Sequence, residues 1–141
     1  MKRFSILFYL AALLAMPFVF GFQVKPEEES VTLQQAIAKG YVECRFENNK
    51  GYVHYSKCLV ARIRNTSGKV LQITVENGTQ VIPEDSVYQN LIVTQNMFVS
   101  LYPNEKKDVE LNAMCTEPHD RAPGATPVSY RLGRSADSVM K

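Results

Sequence analysis

The side chains with the most varied chemistry are three cysteines, Cys44, Cys58 and Cys115, and two histidines, His54 and His119. Three residues separate Cys115 from His119, and His54 lies 61 residues upstream of that cysteine. A thiolate with two imidazoles is a nitrogen–sulfur donor set suited to copper. The set lacks an axial methionine, because Ala122, Pro123, Gly124, Ala125 and Thr126 fill the space after His119. His54 also falls in an extended run rather than on a ligand loop. As a nucleophile, Cys115 has Glu117, His119 and Asp120 close in sequence, but proximity in a loop does not make an oriented triad. The expectation is a chain that is not an enzyme, with no cofactor and no tightly bound metal. A copper or redox site built from His54, Cys115 and His119 is the alternative.

The carboxylates support the same expectation. Glu27-Glu28-Glu29 opens the polar part of the chain, Glu84-Asp85 sits in a turn, and Glu117 and Asp120 lie in a loop. All three groups read as solvated rather than as a glycosidase pair, and two carboxylates on one turn fall short of calcium's 6–8 oxygens. No Gly-rich phosphate loop is present. Asn65-Thr-Ser and Asn77-Gly-Thr match the glycosylation triplet, although turn chemistry alone accounts for both.

In an exported protein two of three cysteines normally pair. Cys44 and Cys58 lie on consecutive extended runs. A turn centred near Asn49 and Lys50 sets Tyr55 opposite Cys44, so a Cys44–Cys58 disulfide needs an irregular hairpin. It is the candidate bridge, and three buried thiols are the alternative.

Positioning these groups falls to a single domain within 141 residues, of which 45% are hydrophobic and 21% charged. Residues 1–22 are read as a secretory signal peptide: Lys2 and Arg3 precede an apolar run from Phe4 to Val19 that is short for a membrane span. Cleavage leaves no stable span and implies a secreted or periplasmic location. It also removes Lys2 and Arg3, leaving 14 basic residues against 14 acidic ones. A neutral domain lacks the basic excess that phosphate binding demands, so nucleic acid is not an expected partner.

Residues 23–31 are predicted to be a flexible lead-in. Thr32 with Gln35 forms a capping-box pattern ahead of Leu33, Ala36 and Ile37, and Gly40 supplies the stop, which predicts one short helix. After Gly40 the period becomes two. Val42, Cys44 and Phe46 alternate with polar residues, and Leu71, Ile73 and Val75 do the same. Val99 and Leu101 lie opposite Phe98 and Ser100, and Val109 and Leu111 continue the pattern. Turns fall at Asn48–Gly51, Asn65–Lys69, Asn77-Gly78, Pro83–Ser86 and Pro103–Lys106. The Asn65–Lys69 turn reads as a hairpin. Seven to eight short strands spaced this way predict an all-β domain over residues 32–132, a β-sandwich with one short N-terminal helix, followed by a tail at 133–141.

The stretch from Arg62 through Asn65-Thr-Ser-Gly-Lys to Val75 resembles an element of the immunoglobulin-like accessory domains of bacterial exported proteins. Val99 to Leu111, with its Pro-x-Glu turn, is similar to the later hairpin of those domains. Leu33 to Cys115 as a whole resembles exported bacterial domains without an assigned activity. The resemblance implies an immunoglobulin-like β-sandwich and says nothing specific of function. The Cys115, His119 and His54 set in turn resembles the cupredoxin arrangement, without its methionine.

An interaction surface is expected on Tyr88 to Gln95 and on the loop from Thr116 to Pro127. Gln89, Asn90 and Gln95 offer amide donors and acceptors beside Tyr88, without the desolvation cost of full charges. The loop is long for a compact domain, and Pro118, Pro123 and Pro127 restrict it. The expected partner is an envelope protein or a glycan.

Overall fold

The computed structural model describes Lys25 and residues 27–51, 55–117 and 119–135. The expected signal peptide, Tyr52, His54, Pro118 and residues 136–141 of the tail lie outside them. The described residues form an all-β fold with ten strands and one short helix. β1 (Glu28–Thr32) leads into α1 (Leu33–Ala38). Then come β2 (Val42–Asn48), β3 (Leu59–Asn65), β4 (Val70–Val75), β5 (Thr79–Pro83) and β6 (Leu91–Val93). β7 (Met97–Leu101), β8 (Lys106–Leu111), β9 (Ala113–Cys115) and β10 (Ser129–Ser135) complete the set. A three-stranded sheet, β1-β4-β7, packs against a seven-stranded sheet ordered β8-β3-β2-β10-β5-β6-β9.

The alternation of side chains builds the core between the sheets. Leu71, Ile73, Val75 and Leu101 come from the smaller sheet, and Phe46, Leu59, Ile63, Val81, Leu91 and Leu111 from the larger; all are buried. Burying an aliphatic or aromatic side chain of this size contributes roughly 1.5–3 kcal/mol. The helix forms as its sequence predicts. Thr32 Oγ1 accepts from the Gln35 N–H at 3.2 Å, and Gln35 Oε1 accepts from the Thr32 N–H at 3.1 Å. Leu33 and Ala36 are buried beneath it, and Gly40 ends it at φ 70°.

Two segment boundaries differ from expectation. The lead-in is not flexible throughout, since Glu28–Thr32 is a strand paired in parallel with β4. Its acidic side chains have partners: Glu29 meets Lys39 at 2.8 Å and Lys69 at 2.9 Å, and Glu28 accepts from Gln72 at 3.0 Å. Val31 adds a buried apolar contact. At the other end, β10 runs to Ser135, so Gly133–Ser135 belong to the sheet rather than to a tail.

The turns also join differently. β3 and β4 are not a hairpin, because β3 pairs with β2 and β8 while β4 pairs with β1 and β7. The Asn65–Lys69 turn is therefore a corner that carries the chain from one sheet to the other. Pro103–Glu105 does the same between β7 and β8, and Asn77-Gly78 between β4 and β5. The consecutive strands β2 and β3 do pair antiparallel, but ten residues separate them along the chain, and Cys44 is opposite Ile63 rather than near Tyr55.

Asn65 ties two of these corners together. Its buried amide donates to the carbonyls of Lys69 (2.8 Å), Leu101 (3.1 Å) and Tyr102 (3.1 Å). Its Oδ1 accepts from the Ser67 N–H at 2.9 Å and the Ser67 hydroxyl at 2.7 Å. An amide buried and engaged in this way is not presented for glycosylation.

The seven-stranded sheet curls until its edges meet. β8 and β9 hold its two edges, yet only Asn112 separates them along the chain. At the seam the Ala113 N–H donates to the Ser56 carbonyl at 2.8 Å, and the Cys58 thiol donates to the Ala113 carbonyl at 3.1 Å.

Lys39 first, and then Lys69, hold the Glu29 carboxyl down at about 2, from 4.5. A lowered folded-state pKa contributes stability that is present above about pH 4.5 and is lost as pH falls toward 2. Glu29→Gln is expected to flatten the acid side of the stability profile across that window. Urea midpoints measured from pH 2 to 7 check it.

Candidate functional site

Two surfaces can present chemistry to a partner. The first lies where the edge of β7 faces the edge of β8. β7 is the outer strand of its sheet, and β8 that of the larger one. Between them runs a groove of about 800 Å³. On β7, Val99 and Leu101 are drawn into the core, which turns the alternate residues away from it, and the Phe98 side chain is 74% exposed. Met97 and Val60 supply further apolar wall.

The charges in this groove are paired. Arg62 meets Glu47 at 3.1 Å and Asp108 at 3.4 Å, and Lys57 meets Glu110 at 3.0 Å. Lys57 holds the Glu110 carboxyl below the usual range. Lys107 meets Glu105 at 3.1 Å and also donates to the Ser100 carbonyl at 2.6 Å. That carbonyl faces away from β4. In an antiparallel ladder the N–H and C=O of one residue point to the same side, so the Ser100 and Phe98 N–H groups share this outer edge.

The second surface is the expected one. The structure brings Tyr88, Gln89 and Asn90 against the loop after Cys115. The Arg121 N–H donates to the Val87 carbonyl at 3.0 Å, and the Gln89 N–H to the Arg121 carbonyl at 3.1 Å. The Gln89 side-chain amide donates to the Asp120 carbonyl. The Asn90 amide donates to Glu117 at 2.8 Å, and the Asn90 carbonyl accepts from the Thr116 N–H at 3.0 Å. The Arg121 guanidinium lies over the Tyr88 ring, 5.8 Å from its centroid.

Gln89 is buried, and the amides of Gln89 and Asn90 are engaged within the fold. They fasten the loop, because a long connection crossing a sheet end must satisfy its own backbone groups. Gln95 lies apart from them and accepts from Asn112 at 2.8 Å, beside the β8–β9 bend. From the far side, buried Asn48 donates to Gly124 at 2.7 Å and Thr126 at 3.1 Å and accepts from the Val128 N–H at 2.7 Å. In the sequence Asn48 reads as an ordinary turn residue and Asn65 as a turn residue within a glycosylation triplet, and neither pattern marks a buried amide. Phe98 was visible there as the residue opposite Val99 and Leu101.

The cysteines do not pair as expected. Cys44 and Cys58 are thiols, and their separation excludes a bridge. Cys44 is opposite Ile63, while the Cys58 carbonyl bonds the Asn49 N–H, five residues farther along β2 and its extension. At about 3.3 Å per residue that gap far exceeds disulfide reach. Burial pushes the Cys44 thiol up to about 12 and the Cys58 thiol up to about 11, and it raises Cys115 as well. Such thiols are poor nucleophiles at neutral pH. Cys115 faces the core opposite buried Leu91, whereas His119 is exposed, and His54 lies outside the described residues. Among the described residues no three His, Cys, Asp or Glu side chains gather as a metal-binding group.

No protein-family model, curated protein or solved structure matches the chain.

Asn48→Ala removes the three hydrogen bonds that hold the loop to β2, at a cost of roughly 2–3 kcal/mol for the buried partners left unsatisfied. Limited trypsin digestion is expected to cut at Arg121 several-fold faster in the variant. Equal cutting rates would show that the loop is held by other contacts.

Proposed function

We propose that the chain is an exported, non-catalytic β-sandwich module of immunoglobulin-like type that binds an extended segment of a partner polypeptide along the edge of β7. The carrying observation is Phe98, 74% exposed on an edge strand beside the groove. A strand added to that edge takes its register from main-chain groups and its affinity from covering Phe98. The paired charges around it favour a partner segment of low net charge. The apolar N-terminal run of residues 1–22 supports export, with a secreted or periplasmic location. The thiols raised by burial support a binding role over thiol catalysis.

Extended peptides selected against the intact protein from a displayed library provide the test. Phe98→Asp is expected to weaken the selected binders about 30-fold, the ~2 kcal/mol loss of an anchoring aromatic. Ser100→Pro removes an outward N–H and is expected to weaken them as well, with the circular dichroism of both variants unchanged. Binders indifferent to both substitutions, or binding confined to a glycan array, would overturn the β7 reading.

A further inference from the structure

We propose that Cys58 and Cys115 form a redox-active pair that closes to a disulfide and locks the seam between the two edges of the seven-stranded sheet.

The seam brings them together. Ala113 is opposite Val93 in β9, and Cys115 is opposite Leu91. Val93 and Leu91 are both buried, so Ala113 and Cys115 point into the same interior. The Cys58 sulfur reaches this strand from across the seam and rests 3.1 Å from the Ala113 carbonyl oxygen. That oxygen lies on the chain between Ala113 and Cys115, so the Cys58 sulfur rests against β9 within two residues of Cys115 along the strand.

The backbone holds this approach in place. Ser56, in the left-handed region at φ 70°, accepts from the N–H groups of both Cys58 (2.7 Å) and Ala113 (2.8 Å). A non-glycine residue keeps that conformation only where its surroundings over-determine it. The interior beside the pair is polar but incompletely satisfied. The Tyr130 hydroxyl is buried without a hydrogen-bond partner among the described residues. The charges that would form on Cys115 and Cys58 each raise the Tyr130 pKa, and that on Cys115 raises Cys58 too, so the three groups share one electrostatic neighbourhood.

The oxidant is a low-molecular-weight disulfide such as oxidised glutathione. Cys115 is the more exposed thiol of the pair. Burial keeps both groups largely protonated, so exchange is slow at neutral pH and speeds as pH rises. The Cys115 thiolate, once formed, attacks one reagent sulfur, the reagent S–S bond breaks, and one reagent thiol leaves carrying the proton that Cys115 gave up. The Cys58 thiolate then attacks the Cys115 sulfur and displaces the second reagent thiol. The protein loses two protons and two electrons, and the reagent takes up both to end as two thiols.

Trypsin places the three cysteines in separate peptides, 40–45, 58–62 and 108–121. The full chain, equilibrated in oxidised glutathione, acid-quenched, alkylated and digested, is expected to give one cross-linked species, 58–62 joined to 108–121, with Cys44 alkylated. Intact mass falls by about 2 Da, and the urea midpoint rises relative to the reduced protein. Cys44→Ser keeps the cross-link, and Cys115→Ser abolishes it. A cross-link that includes the Cys44 peptide, or alkylation of both Cys58 and Cys115 in the folded wild type after oxidation, would overturn the proposal. The peptide map of the wild type is decisive even if a variant fails to fold.

Discussion

The sandwich depends on one buried side-chain amide. Asn65 ends β3 in the larger sheet, and its hydrogen bonds reach the start of β4 and the end of β7 in the smaller one. Its backbone joins the same point: the Asn65 N–H donates to Glu105, and the Asn65 carbonyl accepts from Asn104. Two corners at which the chain changes sheets are thereby fixed to each other. Apolar contact between the sheets is non-directional and favours burial without choosing a single alignment. A fully satisfied amide does choose, because sliding the sheets would strand its donors and the carbonyls they serve.

With the corners held, the exposed features follow. The smaller sheet has only three strands, so β7 ends it with an open edge beside β8. Lys107 reaches across to the Ser100 carbonyl, and such a lysine is one device by which proteins shield an edge from indiscriminate pairing. The larger sheet resolves its other edge differently, by curling until β9 reaches the segment before β3, where Ser56 and the Cys58 thiol complete the pairing of Ala113. One edge is closed and the other is left open beside Phe98. That asymmetry directs the binding proposal to β7 and the redox proposal to the seam.

The strands were legible from alternation, as in Leu71, Ile73 and Val75, where one face is buried and the other is not. The helix was legible from Thr32, Gln35 and Gly40, since capping is local chemistry. Sheet membership was not, because a turn such as Asn65–Lys69 reverses the chain equally well within a sheet or between two. β1 was hidden because its acidic residues find Lys39, Lys69 and Gln72 only after folding. The cysteine register failed because hairpin arithmetic assumes a tight turn, and here a long connection moves Cys44 opposite Ile63. Tyr88, Gln89 and Asn90 were read with the loop after Cys115 as one interaction surface, but alternation cannot show that the amides of Gln89 and Asn90 are spent on that loop.

The most direct test of the account is urea unfolding of Asn65→Ala and Asn65→Asp at several pH values. Asn65→Ala is predicted to lose about 3 kcal/mol, since buried carbonyls of both corners lose their donor. Asn65→Asp is predicted to lose at least as much at pH 7, because a buried carboxylate would face three carbonyl oxygens. Those carbonyls and burial raise the folded-state pKa of that carboxyl, so part of the loss returns as pH falls below it and the acid regains a donor. Unfolding of both variants at the wild-type midpoint, at every pH, would contradict the claim that Asn65 holds the two sheets in register.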